Sequence, residues 1–285
     1  MYKLILHDIK EGIIKNKRFI AVLLWFVTFS VYALLFPLYS INHKDITSFD
    51  LLLYFYKGED PMFDAVLTGE PFEFPVFWMM NFILLLFVVM HYMYNDLNGF
   101  GIQYIVRIKK RITWWISKCI WCFCSCFIFF FICVLVAFAV TILIGGKTFD
   151  FTNSYSLMEK LANDMNYYSM KFWGDMEVST GQVIMCELVV PFMVSWAVCQ
   201  IQMTLTLFLK PTVSFIVNCA FILVSAYIQN YIPGLFISCG MSLHNINFVY
   251  EGFSTSYCVL GCFIAIFISF LIGTIKFKKY NFVEE

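Results

Sequence analysis

The sequence predicts an all-α polytopic membrane protein, and three observations carry that prediction. Of 285 residues, 61% are hydrophobic and 20% aromatic. Only 13% are charged, against about 25% in an ordinary soluble domain. Several stretches run about 18 residues or more almost without charge, which is enough to cross a bilayer as helix. These runs do not alternate apolar and polar residues, as the strands of a transmembrane barrel would. Net charge is zero, so no global charge argument points to nucleic acid.

Six spans follow from the apolar runs: 19–39, 75–93, 114–144, 183–209, 212–229 and 257–277. The chain reads as a single transmembrane domain over 1–285. The third run is longer than a bilayer needs, so its Trp114–Cys119 turn is expected at the interface, with the buried part beginning near Ile120. The fourth contains Pro191, which predicts a kink. The connections expected on the outer side are 40–74, 145–182 and 230–256. The first two are net acidic, and no segment repeats with a solenoid period.

Orientation follows from the placement of Lys and Arg. Fourteen fall on one side: Lys3, Lys10, Lys15, Lys17 and Arg18 before the first span, Arg107, Lys109, Lys110 and Arg111 with Lys118 around the second connection, Lys210, and Lys276, Lys278 and Lys279 in the tail. Five (Lys44, Lys57, Lys147, Lys160 and Lys171) fall on the other. Both termini are therefore expected in the cytoplasm, in agreement with an even number of spans. No cleavable signal peptide is expected, because the first apolar run is too long and lies behind 18 polar-to-amphipathic residues.

The densest basic cluster sits in GFGIQYIVRIKKRITWW, from Gly99 to Trp115. The positive-inside rule explains its sign but not its texture. YNDLNG reads as a polar turn, with Asn95 or Asp96 capping a helix. Apolar residues then recur at Ile102, Ile105, Val106 and Ile108 with basic residues between and after them, and Trp114 and Trp115 anchor the next helix at the interface. The cytoplasmic connection 94–113 thus reads as a short amphipathic helix that lies on the leaflet or docks on a soluble partner. Residues 1–18 read similarly, with Tyr2, Leu6, Ile9 and Ile13 on one face and Lys3, His7, Lys10 and Glu11 off it.

This layout resembles the permease subunits of type-2 ABC exporters. In sequence the likeness is strongest over Tyr94–Trp121, YNDLNGFGIQYIVRIKKRITWWISKCIW, which is similar to permease-like proteins of Firmicutes encoded beside ABC ATPases. The resemblance implies an N-terminal elbow helix and, after the second span, a coupling helix seated in a cleft of a separate ATPase subunit. Carried onto this chain, the coupling residues are Asn95, Asp96, Gly99, Gly101, Gln103, Tyr104, Arg107, Lys109, Lys110 and Arg111. It also implies a second permease, identical or sister, ABC ATPase subunits that hold the ATP and Mg, contact with membrane lipid, and a bacterial plasma membrane location. The long first outer connection departs from the simplest family members. The short re-entrant pair that such permeases place before the last span matches 231–257 only loosely.

Other motifs give way to plainer readings. GFG lacks the third glycine and preceding strand of a dinucleotide fingerprint, and GGKT at Gly145–Thr148 lacks the first glycine of a phosphate loop. CFCSC, at Cys122, Cys124 and Cys126, puts Cys124 away from a stripe of Cys119, Cys122, Cys126 and Cys133, which favours helix packing over metal binding. No His-Glu-x-x-His, Gly-x-Ser-x-Gly or membrane aspartate pair occurs, so neither a catalytic, cofactor nor metal site is expected in this chain. Glu187 is the one carboxylate well inside a run, where insertion costs about 2.5 kcal/mol or more. Either it faces a path or it lies at the outer interface.

The functional expectation is an exporter permease with no hydrolysis of its own, moving an amphipathic or hydrophobic cargo such as an antimicrobial-type peptide. The alternative is a non-transporting membrane scaffold or sensor subunit. An ion-coupled carrier is disfavoured, because such carriers rely on several intramembrane ionisable groups.

Overall fold

The computed structural model describes residues 2–36, 38, 42–56, 76–107, 111–148, 185–228 and 255–279. Within them the chain is helical throughout, with one isolated parallel bridge, Thr47 to Lys147, and no strand. We number the α-helices in chain order. Helix α1 (Tyr2–Ile9) runs into a π-helical turn, Lys10–Ile14, before α2 (Arg18–Leu35). Then come α3 (Ser48–Phe55), α4 (Val76–Val89), α5 (Tyr92–Leu97), α6 (Phe100–Arg107) and the 33-residue α7 (Ile112–Ile144). A second π-helical turn, Met185–Val189, leads into α8 (Val190–Leu205), followed by α9 (Pro211–Ile228) and α10 (Thr255–Lys279). Among the described residues, four helical segments are long and apolar enough to cross a membrane: Arg18–Leu35, Met79–Leu97, Ile112–Ile144 and Cys258–Lys278. The apolar helices Val190–Leu205 and Pro211–Val224 are shorter.

Helix α7 is the axis of the bundle, packing on α1, α2, α3, α4, α8 and α10, while α8 packs on α4, α7, α9 and α10. Large apolar side chains cover both sides of these helices. Phe26 meets Phe55 and Phe129 at ring distances of 5.1 and 5.3 Å, and Tyr56 stacks on Phe130 at 5.3 Å. On the outward face of α7, Phe123, Phe127, Phe131 and Leu135 repeat every fourth residue and remain exposed. An apolar exterior over an apolar core is what a helix bundle in lipid requires. Cys122, Cys126 and Cys133 are buried on the inward side, and Cys119 and Cys124 are half-buried.

Part of the expected outer connection 40–74 is not loop. Helix α3 packs on α2, α4 and α7 and buries Phe49, Leu51, Leu52 and Phe55. Its start is fixed by a reciprocal cap: the Thr47 backbone N–H and hydroxyl both donate to Asp50 Oδ2 at 2.7 Å, and the Asp50 N–H returns a bond to Thr47 Oγ1 at 3.2 Å. This is a capping box with Asp in the usual Glu position. Asn81 ties the helix down, donating to the Phe55 carbonyl and accepting from Trp25 Nε1–H at 2.9 Å. The net acidic composition of 40–74 as a whole concealed the helix.

Gly145 ends α7 at φ +76°, a left-handed position that favours glycine. The GGKT stretch is thus a helix stop. It turns the chain so that Lys147 N–H bonds Ile46 O at 3.0 Å. Pro191 lies in the first turn of α8, directly after the π-helical turn. The irregularity expected at this proline takes the form of that π-to-α junction, since proline removes a backbone donor.

Candidate functional site

The N-terminal part of α7 carries Trp114, Ser117, Lys118 and Trp121 at i, i+3, i+4 and i+7, which places them on one face. Lys118 is the only charged residue in this helix, and its side chain is completely buried. Two carboxylates converge on it from other elements. Lys118 Nζ lies 2.5 Å from Asp8 Oδ1 on α1 and 2.7 Å from Asp96 Oδ2 on α5. The ammonium also sits 4.8 Å over the Tyr92 ring and 4.9 Å over the Trp114 ring. Its charge is met by two ion pairs and two aromatic faces.

The carboxylates are held in turn. Asp8 accepts from Tyr92 OH at 2.9 Å and from Ser117 Oγ–H at 2.5 Å. Asp96 Oδ2 accepts from Trp114 Nε1–H at 2.9 Å. A buried charge is tolerated when it is paired and hydrogen-bonded, and each of these three is both. Two carboxylates against one ammonium make the group formally anionic, so the neutral donors Tyr92, Ser117 and Trp114 are needed to hold the second carboxylate.

Bare glycine backbones let the elements close on this group. A Cβ on Gly101 would come within 2.5 Å of Asp96 Oδ2 and 2.8 Å of Trp114 Nε1, and one on Gly12 would overlap Trp121. At the same end of α7, Trp114 stacks on Phe277 at 4.9 Å, and Trp115 Nε1–H donates to Phe270 O at 3.2 Å. A Cβ on Gly273 would overlap the Trp115 ring. The result is a joint: α1, α5, α6 and the end of α10 all grip the first turns of α7.

Several expectations change here. Trp114 and Trp115 are 1% and 0% exposed. They are packing elements inside the protein rather than anchors in a headgroup layer, because α1, α5 and α10 cover them. Asn95 and Asp96 lie within α5 rather than capping a helix. Asp96 faces inward because the i, i+4 spacing puts it beside Tyr92, and Asn95 remains exposed. On α1 the side turned to the protein is Leu4, Asp8 and Gly12, while Tyr2 and Leu6 of the expected apolar face are 73% and 46% exposed. Of the same expected face, Ile13 is buried in the core and Ile9 packs against it, so the expected apolar face is open only at its N-terminal end. In the π-helical turn that follows, hydrogen bonding from Lys15, at 2.7 Å, holds the Glu11 carboxyl below the ordinary carboxylate range.

Among the other expected coupling residues, Gly101 is buried at the joint, Gly99 is exposed in the turn between α5 and α6, and Gln103 is exposed. Tyr104 is half-buried beside Phe100, at a ring distance of 6.3 Å. Arg107 closes α6, and Arg111 is exposed just before α7. Lys109, Lys110 and the side chains of Arg107 and Glu187 lie outside the described residues, and the Glu187 backbone belongs to the second π-helical turn. Sequence reasoning missed Asp8 and counted Lys118 only as an orientation charge. The available signal was a lone lysine inside a 33-residue apolar helix.

Comparison with known families places the chain. The family model described as "Protein of unknown function (DUF2705)" matches residues 30–283. The chain belongs to the DUF2705 family. No curated protein and no solved structure matches it. The DUF2705 match contains Lys118 and Asp96 and starts after α1, so the joint combines two residues of the matched segment with Asp8 from the helix that precedes it.

Proposed function

We propose that this DUF2705 protein is the membrane-spanning permease subunit of an ATP-driven ABC exporter. In this reading it has six spans, with α8 and α9 as the fourth and fifth, and both termini lie in the cytoplasm of a bacterial cell. Segment 94–113 is the coupling element for a separate ATPase subunit, which binds ATP and Mg, and the permease pairs with a second copy or a sister chain.

The observation that supports this reading is the Lys118 joint. A segment that receives a push from a soluble motor must be tied to a span, or the push is absorbed by loop motion. Asp96 and Gly101 tie α5 and α6 to α7 through Lys118 and Trp114, and Asp8 ties α1 to the same ammonium. Closure of the ATPases then displaces α6, α7 and α1 together, and the bundle rocks between two states. Nearly charge-free spans suit an amphipathic or hydrophobic cargo, such as an antimicrobial-type peptide.

Affinity purification from the native gene cluster in mild detergent, with mass spectrometry and an ATPase assay, tests the proposal. A stoichiometric ATP-binding subunit that is lost when Gly99–Arg111 is replaced supports it. Purification of the chain without any nucleotide-binding subunit refutes it.

A further inference from the structure

Helix α8 is uncharged, yet it carries an amide, Gln200, that is only 1% exposed. The amide is turned to α7, where its Nε2–H donates to Cys119 Sγ at 3.1 Å. One turn earlier on the same face of α8, Trp196 packs edge-on against Phe123 of α7, with ring centroids 4.9 Å apart. Cys119 and Phe123 are also i, i+4 along their helix, so the two pairs form successive rungs between α7 and α8. These contacts leave two polar atoms over. Gln200 Oε1 is an acceptor and Trp196 Nε1–H a donor. Both are closed off from the exterior, and neither has a hydrogen-bond partner among the described residues. A polar group buried without a partner is costly, and lipid around the bundle offers it none.

We propose that Trp196 and Gln200 form a binding site for one hydroxyl group between α7 and α8. The hydroxyl oxygen accepts from Trp196 Nε1–H, and its own hydrogen is donated to Gln200 Oε1. The two residues are separated by a rise of about 6 Å along α8. Two hydrogen bonds of about 2.9 Å through one oxygen span nearly that distance. The order of donor and acceptor selects the ligand. A lone carbonyl meets only Trp196, and an ammonium meets only Gln200, whereas a hydroxyl meets both. The ligand is also neutral, because α8 has no charged residue and Lys118, the one charge of α7, is held by Asp8 and Asp96.

Two sources carry this chemistry. One is a buried water molecule, which takes up polar atoms of this kind inside proteins. The other is the hydroxyl of an amphipathic molecule entering from the lipid side, where Phe123 is 37% exposed. The site stands on the two rungs and does not rest on the permease reading.

The test uses the full chain in phosphatidylcholine nanodiscs, a lipid without hydroxyl groups. Ultraviolet resonance Raman reads hydrogen bonding at an indole N–H, and the difference between wild type and Trp196→Phe isolates the Trp196 signal. A hydrogen-bonded N–H is expected, shifting to the free position in Gln200→Met. A free N–H in the wild type, with or without added 1-decanol, overturns the proposal. Melting temperatures provide a second arm. Trp196→Phe and Gln200→Met should each lower the melting temperature by a few degrees, and the double variant should fall by less than their sum. Substitutions that raise or leave the melting temperature, and that add, show that no group bridges the two atoms and overturn the site. Titration with 1-decanol separates the sources. A rise in melting temperature of the wild type that is lost in Gln200→Met assigns the hydroxyl to an amphipathic ligand. A hydrogen-bonded N–H without any response to decanol assigns it to water, and either result supports the site.

Discussion

The Lys118 ammonium lies 2.7 Å from the Asp96 carboxylate, with both side chains inside the protein. That contact joins the second connection to the longest helix of the bundle. Asp8, 2.5 Å away on the other side, joins the N-terminal helix to the same atom. The arrangement makes specific demands on its members.

Removal of the cation should be worse than removal of either anion. Lys118→Met leaves two buried carboxylates facing each other, whereas Asp8→Asn leaves a balanced Lys118–Asp96 pair. Breaking a buried pair by deleting one partner costs about 3–5 kcal/mol. We expect Lys118→Met to lose most folded protein in detergent, and Asp8→Asn to retain a measurable thermal transition. Fluorescence-detected size exclusion after heating reads both. Equal damage from the two substitutions would show that charge balance is not what holds the joint.

Trp114→Phe separates packing from hydrogen bonding. The ring can still stack on Phe277, but Asp96 loses its indole donor. Lys118 still reaches the same oxygen at 2.7 Å, so the loss is that of one hydrogen bond to a charged group, about 1.5–3 kcal/mol. The expected result is a lower melting temperature with the oligomeric state unchanged.

The two glycines of the second connection should differ sharply. A methyl group on Gly101 meets Asp96 O at 2.6 Å, which is backbone and cannot swing aside, while one on Gly99 meets only Asn95 O at 3.1 Å and Asp96 O at 4.0 Å. Overpacking of this kind costs about 1–3 kcal/mol. Gly101→Ala should therefore lower the melting temperature well below that of Gly99→Ala.

Thr47→Val tests whether the connection after α2 is built into the bundle. The substitution removes the hydroxyl of the reciprocal cap while keeping the branched shape. Loss of a cap costs about 0.5–2 kcal/mol. Faster backbone exchange should appear in α3, and limited proteolysis should cut sooner within 42–56. An unchanged exchange pattern would mean that burial of Phe49 and Leu52 alone holds the helix.

Long apolar runs were legible in the sequence because a membrane helix needs little beyond length and composition. That rule located α2, α7 and α10 within a few residues of the expected bounds. It failed at α3, where the signal is a Thr-Ser-Phe-Asp start and a short helix packed by its neighbours. It failed also for the direction of α1. Hydrophobic periodicity grouped Tyr2 and Leu6 with Ile9 and Ile13, and only the last two pack inward, beside Leu4 and Asp8. Of the residues expected to couple to an ATPase, Asp96 and Gly101 are structural members of the joint. The role of Asp96 depends on Lys118 and Trp114, which spacing along its own helix cannot show.

The central claim is that one ammonium ties both α1 and α5–α6 to α7. Hydrogen exchange of the intact chain in nanodiscs, wild type against Lys118→Arg, tests it most directly. The arginine keeps the charge but cannot fit a cavity closed by Tyr92, Trp114 and Ser117, so exchange should rise together across 2–14 and 92–107 while 190–205 stays protected. Increased exchange in only one of the two segments, or in neither, would contradict a shared joint.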